Sequence, residues 1–312
     1  MFKKFSKFAS SFCFKKENCM LITENTVIVI TGASSGIGES LVRLCAEKKS
    51  KIALLARRYD RLQSIVASLE NTGAQLLPIE CDVTKKESVI DALTQVKSEL
   101  GEVDVLINNA GRGYTGAVED TTDEHLHSMF SLNVYSLWYA VREVLPTMKA
   151  RNSGVIITVS SVAGTMGFPY NSAYVAAKHA AVGFHAGLAA ELAGTNVRTH
   201  VICPDGVLTE WADVTETMPI GNLFAKGIAY SRTIAREKGI ALAPLAKMKS
   251  ADEIAQCIVE TMENDNAPLD IFTHEGSHER SIAASQDRSS FVRMMLPLYE
   301  GMRKAYSELC AK

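Results

Sequence analysis

Tyr174 and Lys178 stand four positions apart in the run Ser172-Ala-Tyr-Val-Ala-Ala-Lys-His-Ala-Ala-Val-Gly-Phe184. On a helix that spacing puts phenol and ammonium on one face, a turn apart. A phenol ionises near pH ~10 and does acid–base work at neutrality only when its phenolate is stabilised. Far upstream, Thr31-Gly32-Ala33-Ser34-Ser35-Gly36-Ile37-Gly38 ends an apolar run and opens a helical pattern. Glycines at such a turn let the backbone approach a pyrophosphate, and the helix start adds free N–H groups and the positive end of its dipole. The spacing is G-x-x-x-G-x-G, and the absence of a G-x-x-x-x-G-K-[ST] run argues against a nucleotide triphosphatase. Ala56-Arg57-Arg58 ends the next strand pattern, where an NAD site usually carries an acid for the ribose 2′-hydroxyl. Guanidinium forks suit a 2′-phosphate, so Arg57 and Arg58 favour NADP(H) over NAD(H); the other reading is two solvated arginines at a strand end. The ammonium of Lys178, together with the charge of an oxidised nicotinamide, is therefore expected to pull the Tyr174 pKa downward.

The elements that must position these groups show in the hydrophobic pattern. Short β-branched runs cover residues 26–31, 51–56, 75–80, 103–108, 154–160, 197–203 and 269–273. Helical patterns lie between them at 37–49, 60–69, 85–99, 123–149, 173–192 and 251–263. Most of the strand runs are nearly all apolar, as strands buried on both faces are. Strand alternating with helix implies right-handed crossovers and an α/β, doubly wound parallel sheet covered on both sides. Residues 209–249 break the alternation: a segment with apolar patches, six Lys/Arg and one Glu between Met218 and Lys249, read either as a helical lid or as a surface insertion. The chain divides into a basic extension over 1–24, a main domain over 25–275 that includes this segment, and a helical extension over 276–312.

Four further signals follow in chain order: Asn108-Asn109-Ala110-Gly111, Asn133, Ser160-Ser161, and the Tyr-x-x-x-Lys pair. Asn133 precedes Ser161 by 28 residues and Ser161 precedes Tyr174 by 13. With the glycine turn, this set resembles the short-chain dehydrogenase/reductase family over roughly residues 26–275. The resemblance implies a Rossmann-type sheet of about seven strands in the order 3-2-1-4-5-6-7. It also implies catalytic roles for Asn133, Ser161, Tyr174 and Lys178. Ser161 would polarise a substrate oxygen beside Tyr174, Lys178 would also hold the nicotinamide ribose, and Asn133 would anchor a water in a proton relay. The cofactor contacts implied are Gly32, Ser34, Ser35, Gly36, Ile37, Gly38, Arg57, Arg58, Asp82, Val83, Asn109, Ala110, Gly111, Tyr174, Lys178, Pro204, Val207 and Thr209. Asp82 is also readable as a satisfied carboxylate near a helix start. One position departs from the pattern: Cys203-Pro204-Asp205-Gly206-Val207-Leu208-Thr209 carries Asp205 where the family usually has glycine. Asp accepts positive φ less freely than Gly, and its charge is expected to disturb a nicotinamide nearby, with Gly206 taking up any strain.

The chain of 312 residues is 47% hydrophobic and 22% charged, as in globular proteins, and its formal charge of −2 argues against nucleic-acid binding. No apolar run approaches the ~18 residues of a transmembrane helix. Seven cysteines without a C-x-x-C pair, and no N-x-[ST] site, fit a reducing, cytoplasmic setting. Residues 1–16, MFKKFSKFASSFCFKK, form either a basic amphipathic helix for a membrane surface or organelle, or a solvated leader. His125, His127, His274 and His278 read as surface histidines, and no metal site is expected. Residues 290–309 read as one amphipathic helix. The function expected is an NADP(H)-dependent reductase or dehydrogenase of a moderately large apolar carbonyl or secondary alcohol. The alternatives are a reductase of anionic CoA- or ACP-type substrates and a cofactor-binding protein with weak or lost catalysis. The partners expected are a small-molecule substrate and a second copy of the chain, as a homodimer or homotetramer.

Overall fold

The computed structural model describes residues 22–210, 220–240, 242 and 246–311. Strand β1 (Val27–Thr31) leads into α1 (Gly36–Glu47), β2 (Lys51–Ala56) into α2 (Tyr59–Ser68), and β3 (Gln75–Glu80) into α3 (Lys86–Glu99). After β4 (Val105–Asn108) comes α4 (Asp123–Phe130), which runs through a π-helical turn, Ser131–Tyr135, into α5 (Ser136–Arg151). Then follow β5 (Gly154–Val159), α6 (Ser172–Glu191) and β6 (Val197–Cys203). Two short strands, β7 (Val207–Leu208) and β8 (Lys249–Ser250), bracket α7 (Ile220–Lys238). The chain continues through α8 (Ala251–Glu263), β9 (Asp270–Phe272), α9 (Ser277–Gln286), α10 (Arg288–Met294) and α11 (Leu296–Cys310).

The main sheet has the order β3-β2-β1-β4-β5-β6-β9, and every pairing in it is parallel. This is the expected Rossmann-type order, with β9 as the seventh strand. All five residues of β1 and all six of β5 are buried, which explains their nearly all-apolar sequences. One face packs Leu41, Val42, Ile254 and Ile258 of α1 and α8; the other packs Val89, Val96, Val144 and Leu188 of α3, α5 and α6. Burying each such side chain is worth about 1.5–3 kcal/mol. The strand order reverses between β1 and β4, so their C-terminal ends open the crevice where ligands of such sheets bind.

Two expected elements differ. The helix over 123–149 is interrupted by the π turn at Ser131–Tyr135, which hydrophobic periodicity does not reveal. The single helix over 290–309 is two: the Asp287 side chain accepts from Ser290 N at 3.0 Å and starts α10 just after α9, while Pro297 in the first turn of α11 forces a new start. The helical part of the 209–249 segment is α7, and it packs along α11 through Leu223, Leu298, Met302 and Ala305. Residues 1–16 and the Met218-Pro219 end of the segment lie outside the described residues.

Candidate active site

Helix α6 buries Tyr174, Lys178, Ala181, His185 and Leu188, a single stripe against the sheet. Deep on that stripe the His185 ring joins Thr199 Oγ1 at 2.5 Å and Thr158 Oγ1 at 2.6 Å, pinning the helix to β6 and β5. Burial drives the His185 pKa down to about 3, so the ring is neutral, donating through one nitrogen and accepting through the other. Two turns nearer the crevice, Lys178 Nζ donates to Val159 O at 3.0 Å and lies 5.7 Å from the centre of the Tyr174 ring. Ser161, just past β5, caps a short 3-10 turn: its Oγ accepts from Ala163 N at 3.1 Å and donates to Pro204 O at 3.5 Å. The same hydroxyl is hydrogen-bonded to the Tyr174 phenol.

Asn133 enters from the π turn. Its Nδ2 donates to Met129 O at 3.1 Å and Arg112 O at 3.2 Å, while Oδ1 is buried without a hydrogen-bond partner. A Cβ placed on Gly111 would fall 2.9 Å from that Oδ1 and 3.3 Å from Lys178 Nζ. Only glycine leaves the space between the two open. The structure thus brings Asn133, Ser161, Tyr174, Lys178 and Gly111 together. Within the protein alone, burial pushes the Tyr174 phenol up, against the lowering effect of the Ser161 hydrogen bond. Burial also pushes Lys178 down to about 8.

The glycine turn lies across the crevice. Gly36 takes φ +56°, and a Cβ there would sit 3.3 Å from Thr209 Cγ2; a Cβ on Gly38 would collide with Gly32 O at 2.3 Å. Ile37 packs partly buried on the core behind the turn. Asn109 knits β4 to β1, its Nδ2 donating to Thr31 O at 3.0 Å and Gly32 O at 3.2 Å, while Ala110 N donates to Thr31 Oγ1 at 3.1 Å. Arg58 Nη2 donates to Ser34 Oγ at 2.9 Å and Ser35 Oγ at 2.8 Å, which holds a guanidinium over the turn. Asp82 Oδ1 accepts from Thr84 N and Oγ1 at 3.1 and 2.7 Å; partial burial opposes ionisation, but these bonds with Arg57 and Lys85 hold the carboxyl below its usual range. Val83 beside it is buried. One residue at this end was not foreseen: Glu210 pairs with Arg61 at 2.9 Å and reaches Arg58 at 3.8 Å.

Asp205 shows none of the backbone strain expected of it. Positive φ occurs at neither Asp205 nor Gly206, so the position does not need glycine and stores no strain. Its carboxylate accepts from Arg280 Nη2 at 2.6 Å and from Ser277 Oγ at 3.2 Å. His274 is a further correction: rather than lying on the surface it is buried, bound to Asp205 N through Nδ1 at 3.2 Å and to Gly206 O through Nε2 at 2.9 Å. No local signal marks this network, because its members are separated by about 70 residues of chain.

A nicotinamide dinucleotide fits these residues. The Gly36–Gly38 turn is a cradle that side chains would fill, Arg58 stands over it, and the unpartnered Asn133 Oδ1 faces the lysine at the other end. The short chain dehydrogenase family model matches residues 26–219. An uncharacterized oxidoreductase of Staphylococcus saprophyticus is 37% identical over 192 residues, 61% of this chain and 77% of its own. Estradiol 17-beta-dehydrogenase 11 of Rattus norvegicus is 36% identical over 186 residues, and the match spans 59% of this chain and 62% of that relative's length. Among solved structures, an alcohol dehydrogenase from Thermococcus sibiricus complexed with 5-hydroxy-NADP superposes with TM-score 0.66 at 27% identity, covering 80% of this chain and 96% of its own. A short chain dehydrogenase/reductase from Burkholderia phymatum in complex with NAD gives TM-score 0.71 at 26% identity, covering 86% and 96%. By sequence, by strand order and by the crevice at the reversal between β1 and β4, the chain belongs to the short chain dehydrogenase family of oxidoreductases.

Proposed function

We propose that the protein interconverts a carbonyl and a secondary alcohol, using NADP(H), on a moderately large apolar substrate. The observation that carries this reading is the convergence of the Ser161 hydroxyl, the Tyr174 phenol and the Lys178 ammonium at the ends of β5 and α6, with Gly111 leaving the approach to Lys178 and Asn133 open. The bound dinucleotide would supply or accept the hydride. Tyr174 Oη gives its proton to the carbonyl oxygen in reduction and withdraws it in oxidation, while Ser161 Oγ holds that oxygen by a hydrogen bond. Lys178 balances the phenolate that forms; with its pKa near 8 it can lend and regain a proton in the neutral range. Asn133 Oδ1 is an acceptor poised to order the water that reconnects this pair to solvent.

Known neighbours include one complexed with an NADP derivative and one with NAD, so the cofactor choice rests on this chain's own residues. The β2 end carries no acid before Asp60, and Arg58 is already held over the turn by two serines. Apolar substrates are supported by the aromatic and methionine-rich surroundings of the 165–171 loop that precedes Tyr174: Phe168, Tyr170, Phe224 and Met166. They are supported too by relatives named for estradiol. The test is oxidation of NADPH and NADH across a panel of free ketones and aldehydes, with Tyr174→Phe as control. Tyr174→Phe is expected to lose about 10²- to 10⁴-fold in turnover while binding dinucleotide as the parent does. Undiminished turnover by that variant would remove the proposal.

A further inference from the structure

Asp205 replaces a family glycine in the loop that carries Val207 and Thr209, yet it needs neither positive φ nor an exposed charge. What it has instead is a partner from the far end of the chain. Arg280 Nη2 donates to both Asp205 Oδ2, at 2.6 Å, and Ser277 Oγ, at 2.8 Å, and Ser277 Oγ in turn donates to Asp205 Oδ2 at 3.2 Å. The two charged side chains are only 14% and 25% exposed, so the pair is shielded from solvent in a way surface ion pairs are not. Ser277 begins α9, so the carboxylate also meets that helix at the positive end of its dipole. Behind the pair, His274 bridges Asp205 N and Gly206 O, and Gly206 O accepts a second bond from Lys249 N at 3.0 Å. The backbone at 205–206 is thereby held on both sides. The strand that follows, β7, is paired with β8, and Thr209 ends against Gly36 of the glycine turn.

We infer that Asp205 and Arg280 form a clasp by which the C-terminal segment holds the 205–209 loop in the shape that receives the dinucleotide. Arg280 is then a positioning residue of the cofactor site, although it lies beyond the strand that completes the sheet. The inference rests on the dinucleotide site proposed above and adds to it a residue outside the family pattern.

The test measures NADPH affinity by titration of the full-length protein, and backbone amide exchange over 203–210 in the protein without added dinucleotide. Arg280→Ala is expected to weaken NADPH binding about 5- to 30-fold, the range of a lost positioning contact of 1–2 kcal/mol, and to speed exchange of the 205–209 amides. Its thermal midpoint should stay near the parent's. Arg280→Lys, which keeps the charge, should recover part of the affinity. Asp205→Gly should weaken binding similarly, and the double variant should be no weaker than the weaker single one, because each change opens the same clasp. Should Arg280→Ala fail to fold, Asp205→Asn, which removes the charge without changing the size of the side chain, gives the same reading. If the parent binds NADPH and these variants bind as tightly, or leave the exchange of the 205–209 amides unchanged, or lose affinity additively in the double variant, the clasp is overturned while the functional reading stands. Failure of the parent to bind either dinucleotide overturns both.

Discussion

Lys178 is a buried cation with one carbonyl acceptor from the protein, Val159 O. Its pKa falls from 10.5 to about 8 because burial penalises the charged form. Between those values the unfolded chain binds more protons than the folded one, so stability should rise with pH across that window. Below about 8 the full penalty is present, about 3 kcal/mol for a shift of that size. Lys178→Met should therefore abolish turnover yet stabilise the protein at pH 7 by about 1–3 kcal/mol. Urea unfolding would show the advantage fading as pH rises toward that of the free side chain; a methionine variant less stable at pH 7 would contradict the account. Arg58 is the second residue whose charge decides something. Arg58→Glu should weaken NADPH binding about 10- to 100-fold while affecting NADH far less, read by parallel titrations. Equal losses for both dinucleotides would assign Arg58 to the turn's structure rather than to a 2′-phosphate.

Elements succeed here by what they allow past them. The π turn within the α4–α5 helix carries Asn133, and its Nδ2 is held by carbonyls of Met129 and Arg112, leaving Oδ1 buried beside Gly111 without a hydrogen-bond partner. Helices α7 and α11 meet backbone to backbone: a Cβ on Gly301 would fall 2.4 Å from Gly227 O and 2.6 Å from Ser231 N. Neither neighbour is a side chain that can rotate away. Gly301→Ala should cost about 1–3 kcal/mol by overpacking, and the loss should be local. Limited proteolysis should cut in α11 of that variant first, while the sheet retains the parent's amide protection. Tyr299 and Tyr306 of α11 also reach the 165–171 loop, through Tyr299 Oη to Gly167 O at 3.1 Å and the stacking of Tyr306 on Tyr170 at 3.9 Å. Loosening α11 should therefore raise KM for the carbonyl substrate more than for NADPH.

For the whole molecule, the apolar cluster of α7, α10 and α11 is continuous with Val162 and Met166 beside Ser161. Deleting residues 288–312 would uncover Leu223, Met166 and Val162 together. Such a chain is expected to bind a hydrophobic dye and to lose cooperative unfolding; a truncated protein that melts as sharply as the parent would show that the cluster stands alone. Among the described residues no helix is long and apolar enough to cross a membrane. Much of this architecture was legible in the sequence. Strands buried on both faces announce themselves as apolar runs, and the glycine turn and the Tyr174–Lys178 spacing depend on contacts within a few residues, where local geometry dictates which groups share a face. Tertiary structure alone decided the rest. The π turn shifts the register by a single residue, too little to stand out in a pattern read over several turns; the direction of the Tyr174 and Lys178 shifts depends on how dry the pocket is. Arg280, Ser277 and His274 reach Asp205 across about 70 residues, because β6 and β9 pair side by side and bring distant ends of the chain to one loop. Spacing along a chain encodes which groups lie on a face, but the dielectric around them and the partner that arrives from elsewhere exist only once the sheet has closed.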